Sequence, residues 1–94
     1  MIELDKLTPE QLDPLVGTNF AVDGMADALT LLQVERLQSP SPRAQPFSLL
    51  FVSRTHRLAQ ATCHLAHPML GALDVFLVPI QPDTRGALYE AVFN

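Results

Sequence analysis

Cysteine occurs once, at Cys63, so no disulfide can form within the chain. That usage fits a reducing compartment. Glycine occurs four times, never in a cluster, which excludes a glycine-rich phosphate loop. Five phenylalanines and one tyrosine are too dispersed to build a base-stacking platform. Cationic side chains are in the minority. Six Lys and Arg against ten Asp and Glu leave a net charge of -4, which gives phosphate little to bind. Arg36, Arg43, Arg54 and Arg57 form a mildly basic stretch, but they are scattered and would release few counterions. No apolar run approaches the roughly 18 residues of a membrane span. The start, Met1-Ile2-Glu3-Leu4-Asp5, is acidic where a secretion signal would be basic. The expectation is a cytoplasmic chain that engages neither nucleic acid nor membrane.

Apolar residues make up 48% of the 94, enough for one core and one domain, 1–94. The organising stretch is Pro46-Phe47-Ser48-Leu49-Leu50-Phe51-Val52. Phe47, Leu49 and Phe51 alternate onto one face, Leu50 and Val52 onto the other. A strand apolar on both faces needs cover on both. Leu73-Asp74-Val75-Phe76-Leu77-Val78 repeats the pattern, with Asp74 its one charge, expected to face water or to pair.

Around these two strands the turn signals are regular. Thr8-Pro9-Glu10-Gln11 reads as a capping box with proline at the first helical position. It opens a short helical segment over 7–17, with Leu7, Leu12, Leu15 and Val16 inward as a plug. Strands are expected at Asn19–Val22, Ala28–Leu37, Phe47–Val52, Ala61–Leu65, Leu73–Ile80 and Ala87–Phe93. In the second, Leu29, Leu31, Gln33, Glu35 and Leu37 share one face. In the last, Tyr89, Ala91 and Phe93 face inward. Turns are expected at 23–27, 67–71 and 81–86, where glycine or proline stands. No βαβ alternation appears. The fold class is therefore mainly β: a small antiparallel β-barrel or sandwich of about six strands over 19–93, with one short N-terminal helix. The proline-rich segment Ser39–Pro46 is the longest irregular stretch, either a stiff connector or a recognition loop.

Few residues invite chemistry. Cys63-His64-x-x-His67 holds metal-ligand types, but on a strand His64 and His67 point to opposite faces. Cys63 in an apolar setting is a poor nucleophile. Ser48 lacks the glycines of a nucleophile elbow. Asp23 and Asp27 are too few oxygens for a cation site. No catalytic residue, metal site or cofactor is expected.

Several phrases together resemble a known family. They are Leu7-Thr8-x-x-x-Leu12-x-Pro14-Leu15-Val16-Gly17, Pro46-Phe47-Ser48-Leu49-Leu50-Phe51, His67-Pro68-x-Leu70-Gly71, Leu73-x-Val75-Phe76-Leu77-Val78-Pro79 and Tyr89-Glu90-Ala91-Val92-Phe93-Asn94. The chain resembles a family of uncharacterised bacterial domains of about a hundred residues. That resemblance implies no activity. It implies an accessory role in a phage-tail-like or surface-fibre assembly, with a tail-collar-like protein as a partner. Similar proteins carry an aromatic where Cys63 stands, which makes Cys63 an apolar replacement.

Two functions follow. The first is a non-catalytic structural or interaction protein, in which surplus apolar surface at Leu50, Val52, Phe76 and Val78 is covered by a second subunit or a protein partner. The alternative is a small-molecule-binding barrel whose mouth is lined by Arg54, His56 and Arg57.

Overall fold

The computed structural model describes residues 3, 6–38, 46–54 and 58–93, without the side chain of Asp27. The expected loop residues at 39–45, with His56 and Arg57, lie outside these residues, as does the Asp27 carboxylate. Six strands form a closed antiparallel barrel: β1 (Asn19–Val22), β2 (Met25–Arg36), β3 (Phe47–Ser53), β4 (Ala61–His67), β5 (Gly71–Asp83) and β6 (Gly86–Phe93). Their order around the wall is β1-β2-β3-β6-β5-β4, with β4 returning to β1.

The period-2 alternation decides what goes inside. Phe47, Leu49 and Phe51 of β3 and Leu73, Val75 and Leu77 of β5 fill the interior. Tyr89, Ala91 and Phe93 of β6 join them, with Phe20, Val22, Leu29, Leu31, Cys63 and Leu65. Phe47 stacks on Phe93 at 4.7 Å, and Phe20 meets Phe51 edge-on at 5.4 Å.

One end is stoppered by α1 (Pro9–Leu12) and the 3₁₀ turn Asp13–Leu15 that continues it. Gln11 Oε1 accepts from the Thr8 backbone N–H at 2.8 Å, and this fixes the helix start. Leu7, Leu12 and Leu15 are buried in the core, but Val16 is 44% exposed. The turn after Leu15 carries Val16 to the outside, so it is not part of the plug. Gly17 follows at φ +87, and its N–H donates to Leu31 O, which ties the plug to β2.

Several strand ends differ from expectation: β2 stops at Arg36, β4 runs on to His67 and β5 starts at Gly71. Three further differences have a plain physical cause. The first hairpin turns on Asp23-Gly24 alone, both at positive φ, so Met25 already pairs with Val22 and β2 begins there. That is the two-residue turn whose twist suits a hairpin. In β2 the register slips at Leu32: Leu31 pairs with Phe51, but Gln33 pairs with Leu50 and Val34 with Leu49. One extra residue swaps the faces. Val34 therefore packs against the core, and Gln33 and Glu35 join the outer face. The segment 81–86 is mostly strand, because β5 runs on to Asp83 before the turn. Gly86 beyond it sits at φ +137, and a Cβ there would come within 2.8 Å of Ser53 O. Only glycine lets β6 begin that close to β3.

Candidate functional site

The closed wall carries side chains on its outside, and those of them that are also exposed are free to act. On β3 the outward side chains are Ser48, Leu50 and Val52; on β6 Leu88, Glu90 and Val92; on β5 Ala72, Asp74, Phe76, Val78 and Ile80. Gln33, Leu50, Glu90 and Val78 form one cross-strand row, and Val52, Leu88 and Ile80 form the next. Phe76 and Val92 each lie two residues beyond the Val78–Glu90 pair, in the same direction. Phe76 is 51%, Val92 50% and Ile80 39% exposed. Leu50 and Val78 are half-buried between them. Val52 points outward but is only 1% exposed, so it underlies this face and does not present it. Of the four expected surface residues, three thus sit on one apolar wall spanning β3, β6 and β5. A groove of about 140 Å³ there is lined by Gln33, Glu35, Ser48, Leu50, Ile80 and Glu90.

A second depression crosses the line where β1 meets β4. It is a trough of about 510 Å³ lined by Ala21, Ala26, Ala66 and Ala72, together with Asn19 and Pro68. Nothing in the sequence flagged it, because alanine on an outer face carries no pattern.

The ionisable groups with resolved partners are structural. Burial pushes the Cys63 thiol up, helped by the nearby Asp23 charge, so the thiol stays protonated inside the barrel. His67 is buried, and the Met69 N–H donates to its Nδ1 at 3.0 Å. Its proton is therefore on Nε2, which donates to Thr18 Oγ1 at 2.9 Å. The Thr18 hydroxyl in turn donates to Leu15 O at 2.5 Å. His64 faces outward, with Nδ1 2.8 Å from Asp74 Oδ1. Asp23 Oδ1 accepts from the His64 backbone N–H. No group of three metal-ligating side chains occurs among the described residues.

Arg54 is exposed just beyond β3. Beneath that end, Tyr89 fills the interior, and its hydroxyl accepts from the Leu58 N–H at 2.7 Å. No described helix is long and apolar enough to cross a membrane.

Residues 7–93 match the model of a family described as a domain of unknown function, DUF6916. The chain belongs to the DUF6916 family. The matched span begins at Leu7, the first buried leucine of the plug, and ends at Phe93, the last core residue of β6. The DUF6916 unit is therefore plug plus barrel. No curated protein and no solved structure matches the chain.

Proposed function

We propose that this protein is a non-catalytic interaction module that works through the outside of its barrel. The observation that carries the reading is the apolar outer wall, with Phe76, Val92 and Ile80 exposed beside half-buried Leu50 and Val78. Large apolar side chains gathered on one face, while the interior is already filled, mark a surface meant to be covered. The same filled interior speaks against a ligand held inside the barrel. The setting implied by the family resemblance is an accessory part of a tail-like or surface-fibre assembly.

The test uses charges placed at exposed positions. Phe76→Glu and Val92→Glu should each leave the circular-dichroism spectrum and melting temperature close to wild type. Each should lower the mass of the particle in which the tagged chain sediments from its native cells. Folded variants that sediment with unchanged mass would overturn the reading.

A further inference from the structure

What the partner carries can be narrowed, on the reading just given. We propose that the groove over β2, β3 and β6 is a socket for one arginine side chain of a different protein, whose apolar neighbours cover the wall beside it.

The argument begins at Ser48. Register sets it on the outside of β3, between Glu35 of β2 and Val92 of β6. It is only 5% exposed, and it lines the groove of about 140 Å³. Its hydroxyl has no hydrogen-bond partner among the described residues. Buried polar side chains are nearly always bonded. A lone hydroxyl that opens into a groove points to a polar group arriving from outside. Two residues further along β3, Leu50 stands between Gln33 and Glu90. Glu35 and Glu90 therefore flank β3 on opposite sides and one step apart, their Cα atoms roughly 12 Å from each other on sheet spacings. Neither has an ion-pair partner among the described residues.

Size and donor count select the occupant. Pockets for drug-sized ligands run to about 300–1,000 Å³. This groove has room for about five waters at roughly 30 Å³ each, the scale of one long side chain. A calcium ion needs roughly six to eight oxygens, and Leu50 and Ile80 in the lining supply none. The lining does offer acceptors on Glu35, Glu90, Ser48 and Gln33. An ammonium brings three donors to these four groups, whereas a guanidinium brings five in a planar fork. The methylenes of an arginine also pack on apolar surface, and Leu50 and Ile80 provide it. Both belong to the apolar wall, so a partner whose arginine enters the groove covers the wall as well. The chain's net charge of -4 favours a basic partner. Its own Arg36 and Arg85 are already held by Glu10, Asp13 and Asp83.

The test is an NMR titration of the full chain with the capped tripeptide valine-arginine-valine. The same peptide with citrulline at its centre keeps the shape and removes the charge. The arginine peptide should shift the amides of Gln33, Glu35, Ser48, Leu50 and Glu90. The citrulline peptide should bind at least about tenfold more weakly, the scale of one charge-assisted hydrogen bond. The double variant Glu35→Gln with Glu90→Gln is nearly isosteric and should weaken the arginine peptide by a similar factor. No shift at these amides up to the solubility of the peptide, or equal binding of the two peptides, overturns the socket. The same double variant should lower the particle mass in the sedimentation experiment, as Val92→Glu does. If Val92→Glu lowers it and the double variant does not, the socket falls and the apolar wall stands. A wild-type dimer in light scattering that the double variant disperses overturns the different protein in favour of a second copy.

Discussion

His67 is held at both ring nitrogens, and removing either partner leaves a polar atom in the barrel wall with nothing to bond. Thr18 is the more informative partner, because its hydroxyl both accepts from His67 Nε2 and donates to Leu15 O. It links the end of β4 to the last residue of the plug. Thr18→Val keeps the shape and deletes both bonds. A buried donor left unsatisfied costs about 1–3 kcal/mol. The expected outcome is a loss of that size in the denaturant midpoint, with an unchanged slope. A loss below about 0.5 kcal/mol would mean that water replaces the hydroxyl.

The plug also depends on charge at its outer side. Arg36, at the end of β2, reaches Asp13 Oδ2 at 2.6 Å and Glu10 Oε2 at 3.3 Å. Its guanidinium holds the Asp13 carboxyl below the usual carboxylate range, chiefly through the hydrogen bond. The sign follows. A carboxyl whose folded value is lowered stabilises the fold above its unfolded value of about 3.9, and that contribution fades as pH falls through the folded value. Acid titration of stability should therefore be shallower below about pH 4 in Asp13→Asn than in wild type. Arg36→Gln should mimic it, and the double variant should add nothing further. Parallel titration curves for all three would assign the acid sensitivity to other carboxylates.

Elements also show how far the sequence could be read. β3 and β5 were legible because strict alternation puts Phe47, Leu49 and Phe51, or Leu73, Val75 and Leu77, on one side with no other arrangement available. The plug was legible from Thr8, Pro9 and Gln11. β2 was half legible: the bulge at Leu32 is a backbone event, and neither Leu31-Leu32 nor Gln33 signals it. Gln81-Pro82-Asp83 has loop composition, yet it pairs with β6 through an irregular stretch between Ile80 and Asp83 that tolerates proline. At the candidate surface, Phe76 was readable as an outward ring. The trough was not, since Ala21, Ala66 and Ala72 come together only when the barrel closes.

At the scale of the whole molecule, closure is uneven. β3 and β6 share seven register pairs, from Phe47–Phe93 to Ser53–Ala87, whereas β1 and β4 share two, Ala21–Ala66 and Val22–Leu65. Asp23 adds to that seam through its N–H to His64 O and its carboxylate to the His64 N–H. A barrel joined this thinly on one line opens there first, because local opening follows the least supported backbone hydrogen bonds. Native-state hydrogen exchange should show Ala21, Val22 and Leu65 exchanging through a local opening well below the global unfolding free energy. Leu49, Phe51 and Ala91 should exchange only on global unfolding. Exchange at the seam as slow as at β3 under dilute conditions would mean that the plug and the Asp23 bonds close the barrel as firmly as a full ladder.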